Sequence, residues 1–174
     1  MFNAKVNTGL PSPQYGMTTP CICKQFEPYK AGEHTFEAQC GTYNCGPIAI
    51  LNALHFEKRP AGPAIHRQIA VGCRPKARHA DGFKGTKPED MDHVIRWFWP
   101  KATRHTGPAA CLVALTKGPA ILLFQRSPRL QHYIFVHYDG TQFHLENESD
   151  CGSVFEKEMS AYMNKSPTVW LCKS

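Results

Sequence analysis

The segment Gln39–Leu54, QCGTYNCGPIAILNAL, holds two cysteines five positions apart. Cys45 stands directly before Gly46-Pro47 and a nearly unbroken apolar run. Pro47 suits the first turn of a helix, where its missing N–H would be unbonded anyway. The N-terminal end of a helix carries partial positive charge, which favours the thiolate, the reactive form of cysteine. Cys45 is therefore a candidate nucleophile. Cys40 precedes Gly41-Thr42-Tyr43, reads as loop, and lacks that setting. The plain alternative is that Cys45 is a small buried hydrophobe, as free cysteines often are.

A nucleophilic thiol needs a base beside it. Of the nine histidines, His34, His66, His79, His93 and His105 fall in loops or on polar faces. His132 and His137 share the alternating segment QHYIFVHY (131–138), and His144 lies in QFHLEN (142–147). Asp139-Gly140 between them is a strong hairpin signal. A two-residue turn there pairs Val136 with Phe143, Ile134 with Leu145 and His132 with Asn147, all on one face. A turn one residue longer mixes apolar with polar partners. An Asn carbonyl holding one imidazole nitrogen fixes the tautomer and leaves the other nitrogen for the thiol. Taken singly, His132 could be a strand-end histidine and Asn147 a turn residue. Acyl transfer to a thiol also needs donors for an oxyanion. The Cys45 N–H is one, and the Gln39 side chain, six residues upstream, is a candidate for the other.

These residues need elements to position them. An apolar helix is expected from Gly46, buried on most sides, and a second between Pro63 and Val71. Thr86-Lys87-Pro88-Glu89 reads as a capping box with Thr86 as N-cap. Met91, Val94, Ile95 and Phe98 then mark one helical face, which Pro100 ends. A short helix is expected from Pro108 to about Leu115. Strands are expected at Ala120–Phe124, on both sides of Asp139-Gly140, and at Thr168–Cys172. Ser153 is expected to open one more helix, through about Met163. Helices first and an antiparallel sheet after make an α+β layout. Residues 1–38 read as an irregular arm packed on a single domain spanning 39–174.

The 174 residues suffice for one core, and 42% hydrophobic content is near the globular norm. No apolar run approaches a membrane span, and MFNAKVNTGL has no secretory h-region. Eight cysteines without a secretory signal read as reduced thiols in the cytoplasm. They form no repeated CxxC pair, so the expectation is no metal and no cofactor. The competing metal reading is a four-sulfur zinc set of Cys21, Cys23, Cys40 and Cys45. Net charge is +6, with Arg74, Lys76, Arg78, Lys84 and Lys87 in one Gly/Pro-rich segment. That segment reads as a solvated loop rather than a nucleic-acid surface, because only Phe83 interleaves the cations.

Taken as a set, Gln39-x5-Cys45-Gly46-Pro47, His132-Tyr133-Ile134-Phe135-Val136 and Asn147 resemble the papain-like cysteine peptidases. The compact branch that includes bacteriocin-processing peptidase domains of peptide exporters adds further likenesses. These are Gly85-Thr86-Lys87-Pro88 at a helix start, Gly118-Pro119-Ala120-Ile121 in a strand, and the Asp-Gly turn after the histidine strand. The resemblance spans about residues 39–172. The chain is also similar in size and C-terminal pattern to leader proteinases of some RNA viruses, which release themselves from a polyprotein. The resemblance implies a helical lobe carrying Cys45 against a β lobe carrying His132 and Asn147, with a peptide or protein as substrate. It implies a monomeric thiol peptidase, acting in the cytoplasm (the host's, for a viral leader), with its own junction after Ser174 as one substrate. Two departures stand out. Asn44-Cys45-Gly46 replaces papain's small residue and Cys-Trp, and Asn147 stands where exporter domains carry Asp-Pro, which leaves Glu148 and Asp150 as rivals. Deamidation or another acyl transfer by the same site, or a non-enzymatic binding module, are the alternative functions.

Overall fold

The computed structural model describes residues 29–31, 33–37, 43–127, 130–146 and 152–174. Gln39, Cys40, Asn147, Glu148 and Asp150, and with them Cys21 and Cys23, lie outside the described residues. A small hairpin of β1 (Tyr29–Ala31) and β2 (His34–Phe36) comes first. It replaces irregular chain in the last part of the expected arm. Three helices follow: α1 (Cys45–Phe56), α2 (Pro63–Cys73) and α3 (Pro88–Phe98). Then come β3 (Thr103–Thr106), α4 (Pro108–Leu115), β4 (Ala120–Ser127), β5 (Leu130–Tyr138), β6 (Phe143–Glu146), β7 (Gly152–Val154), α5 (Glu156–Met163) and β8 (Thr168–Leu171). Six strands form one antiparallel sheet in the order β3-β8-β4-β5-β6-β7.

The sheet separates two cores. On one face α1, α2 and α3 pack against Ile121, Leu123, Tyr133, Phe135 and Trp170. On the other α4 and α5 pack against Leu122, Phe124, Ile134, Val136 and Val169. Strand alternation divides β4 and β5 between the two. Helix α1 has apolar residues on every side, so it is buried continuously from Cys45 to Leu54. Its one polar interior residue, Asn52, is satisfied: its Oδ1 accepts from the Glu37 N–H at 2.7 Å, and its Nδ2 donates to the Glu37 carbonyl at 3.0 Å. That pair ties the strand-end of β2 onto α1.

Three local expectations are corrected. Helix α3 begins at Pro88 with extended Lys87 as N-cap, and no side chain caps it. Proline takes the first helical position, so Thr86 is one residue too early for the cap. Thr86 is instead fully buried. Likewise α5 has Phe155, not Ser153, at its N-cap, because Ser153 belongs to β7. Finally, the β5–β6 hairpin pairs Tyr138 with Phe143, Val136 with Leu145 and Phe135 with Glu146. This register is two residues off the expected one, and the expected pairing of His132 with Asn147 lies outside the described residues. The reason lies in the turn. Asp139 Oδ1 accepts from the N–H groups of both Thr141 and Gln142 at 2.8 Å, and the Asp139 N–H donates to the Gln142 carbonyl. A side chain that caps its own loop widens the turn to four residues. The shift is even, so the same side chains keep the same faces.

Candidate active site

Cys45 is the first residue of α1, and only 4% of its surface is exposed. Asn44 occupies the N-cap position, a role its residue type often fills, yet it makes no capping bond. It is fully buried, and neither Oδ1 nor Nδ2 has a hydrogen-bond partner among the described residues. Gly46 is fixed by crowding: a Cβ there would lie 2.7 Å from Thr86 Oγ1 and 2.9 Å from Thr86 Cβ. Only a glycine lets the chain before α3 press against the start of α1. The Thr86 hydroxyl is itself buried without a partner among the described residues. The Thr86 carbonyl accepts from the Tyr133 hydroxyl at 3.1 Å, which ties this junction to β5.

The junction delivers the Cys45 sulfur to the backbone of β5. The N–H of Tyr133, the residue after His132, donates to it, as do the N–H groups of Gly46 and of Cys45 itself. Burial nevertheless dominates and pushes the thiol above the ordinary cysteine value, against those donors and the Arg126 charge. The helix-end effect expected to favour a thiolate is thus outweighed by desolvation. Arg126 sits at a bulge in β4, where the β4–β5 register slips between Gln125 and Ser127. Bulges re-aim side chains in this way.

His132 is 7% exposed and stands edge-on to Phe124, its cross-strand neighbour, at 5.7 Å between ring centres. Its side chain belongs to the α4/α5 face, whereas α1 covers the Tyr133 face. The described β5–β6 ladder begins only at Phe135. The sulfur meets β5 at the Tyr133 N–H. Of the predicted residues, Cys45 and His132 are described: the Cys45 sulfur meets the N–H of Tyr133, while the His132 ring packs on Phe124 on the other face of β5. His137 and His144 lie further along, stacked on each other at 4.7 Å and bonded to Glu146 and Asp139. Sequence reasoning missed Asn44 and Thr86 as parts of the site. Their burial follows from Gly46, whose spacing before Pro47 was the available signal. The four described cysteines are all free, and no group of three or more metal-ligating residues occurs among the described residues.

No family model and no curated protein matches the chain. Solved structures do. A protease for double-glycine motifs from an AMS/PCAT transporter, in complex with the leader peptide, is similar with a TM-score of 0.52 at 14% identity. The match covers 83% of this chain and 96% of that one. The peptidase domain of Streptococcus ComA, a bifunctional ABC transporter involved in quorum sensing, gives 0.49 at 15% identity, covering 79% and 96%. The α+β architecture expected from the sequence is thus a fold shared with that double-glycine motif protease.

Proposed function

We propose that the protein is a thiol peptidase with Cys45 as nucleophile and His132 as its base. The observation that carries this reading is the Cys45 sulfur at the head of α1, bonded to the first N–H after His132, in a fold shared with a peptide-binding protease. The sulfur meets the Tyr133 N–H, and His132 is the adjacent residue of β5, which supports pairing the two. Burial pushes the thiol above its ordinary value, so the reading gives the S–H proton to a base during attack.

In the first step the Cys45 S–H proton passes to the His132 imidazole as sulfur bonds to the scissile carbonyl carbon. The oxyanion takes donors from the Cys45 N–H and the Gln39 amide. The C–N bond then breaks, and the imidazolium proton goes to the departing amine. Water attacks the thioester, His132 takes a water proton and returns it to sulfur, and a free carboxylic acid leaves. Asn147 holds the imidazole tautomer in this reading, with Glu148 and Asp150 as rivals.

Incubation with a peptide library, followed by mass spectrometry, tests the proposal. Paired fragments that vanish in Cys45→Ala and His132→Ala support it. A shift of about one mass unit without cleavage would mean that the same acyl chemistry ends in deamidation. The finer form, release from a polyprotein after Ser174, reads out as Cys45-dependent cleavage of a chain extended past that residue.

A further inference from the structure

The basic segment before α3 is not a loose loop. Lys76 and Gly85 bond each other in both directions, at 3.2 and 2.7 Å, and close its base. His79 N–H donates to the Phe83 carbonyl at 2.7 Å, and Gly82 N–H to the His79 carbonyl at 2.9 Å. His79 Nε2 lies 2.8 Å from the Gly85 carbonyl oxygen. Asp81 accepts from the Phe83 N–H and is ion-paired with Lys87. The base sits beside the nucleophile: a Cβ on Gly85 would stand 3.7 Å from the Tyr43 carbonyl, and Thr86 packs on Gly46.

Between this loop and the ends of β4 and β5 is a cavity of about 500 Å³, floored by Gln125 and Gln131. Those glutamines pair across the strands and follow directly after the Phe124–His132 pair. By strand alternation they share the face of Tyr133, which α1 covers and on which the Cys45 sulfur lies. The cavity therefore lies on the same sheet face as the Cys45 sulfur, one alternation step along β5 from Tyr133. Two cations line it, Arg78 and Lys84, and neither has a bonded partner among the described residues. The one lining carboxylate, Asp81, is neutralised by Lys87. Gln131 Oε1 is buried and has no partner among the described residues, so the floor presents an acceptor that wants a donor.

Resting on the peptidase reading, we infer that this cavity is a specificity subsite for an acidic side chain, Asp or Glu, close to the cleaved bond. The carboxylate meets Arg78 and Lys84, and an N–H of the substrate backbone meets Gln131 Oε1. A loop ordered by its own bonds loses little entropy on binding, so its charges act as a preformed site.

Binding and cleavage are measured separately. Fluorescent peptides differing only by Glu or Lys at each position in turn are titrated into the Cys45→Ala protein, which binds without turning over. The expected result is tighter binding of Glu at one position by about tenfold, reversed in Arg78→Glu/Lys84→Glu. Lys117→Glu, which makes the same kind of charge change beyond α4, should leave that preference intact. Equal binding of Glu and Lys peptides would overturn the subsite, as would a preference that Lys117→Glu removes equally. Cleavage by the wild-type chain of peptides that bind, or its absence, decides the peptidase reading independently.

Discussion

The two faces of the central sheet are built to different standards. The face under α4 and α5 is an apolar core with one thiol, Cys111, which donates to the His105 and Pro167 carbonyls at 3.4 and 3.6 Å. The face under α1 carries Asn44, Thr86 and Gln131, each with a buried polar atom that finds no partner among the described residues. Buried polar groups are nearly always bonded, so each orphan costs stability. All three lie on the sheet face that carries Cys45. The opposite face offsets that deficit by ordinary packing.

The largest expected effects lie at Cys45, on the α1 face, and at His132, whose ring packs on Phe124 on the other face. Cys45→Ala and His132→Ala should each lower kcat/KM on a reporter peptide by about a thousandfold or more, with little change in Tm. Cys111→Ala should leave kcat/KM unchanged. Met159→Ala empties part of the α4/α5 core and should cost about 2–5 kcal/mol by denaturant unfolding, with turnover per folded molecule retained. Gly46→Ala drives a methyl into Thr86 and should cost about 1–3 kcal/mol while lowering turnover. Adding Thr86→Gly in the same chain should recover part of both. Asn44→Leu removes an unpaired amide, so Tm should hold or rise by the equivalent of about 1 kcal/mol while turnover falls. A fall in Tm with normal turnover would show that Asn44 is ordinary core.

The smallest effect is shared by both faces. Burial raises the thiols of Cys45, Cys73, Cys111 (to about 11) and Cys172 above 9.0, and the Tyr133 phenol above 10.0. The folded chain thus keeps protons that the unfolded chain releases. Their contribution is fully present below about pH 9 and is lost as pH rises toward the folded values. Thermal melts should show Tm falling progressively above pH 9. Cys172→Ala should soften that decline. Alkylation of Cys45 by iodoacetamide at neutral pH should need His132, and in His132→Ala it should shift to alkaline pH.

Much of this was legible from local pattern. The apolar run from Gly46 and the Met91/Val94/Ile95 spacing gave α1 and α3 because burial follows periodicity. The strand β3, Thr-Arg-His-Thr, was missed: as a polar edge strand it is held by pairing with β8, which no local signal encodes. The hairpin register failed because Asp139 uses its side chain within the turn, and this choice competes with a tight Asp-Gly turn of the same composition. Thr86 fits a cap by type, yet Tyr133 and Gly46, distant in sequence, claim it for packing. The chemistry anticipated the Cys45 sulfur at the His132 ring; the contact described is with the N–H of the next residue, Tyr133. The burial that pushes its thiol upward was not anticipated, because desolvation depends on what packs around the helix end.

The meeting of Cys45 with the Tyr133 N–H also has a kinetic side. It joins chain positions on opposite sides of α2, α3, β3, α4 and β4. The β4–β5 hairpin closes locally, but this contact must bridge most of the domain, and its loop-closure entropy is paid before any reward. A refolding chain should therefore hold its hairpin early and leave the sulfur in water until the last step. Pulsed alkylation during refolding would then label Cys45 well after the hairpin amides have become protected from exchange.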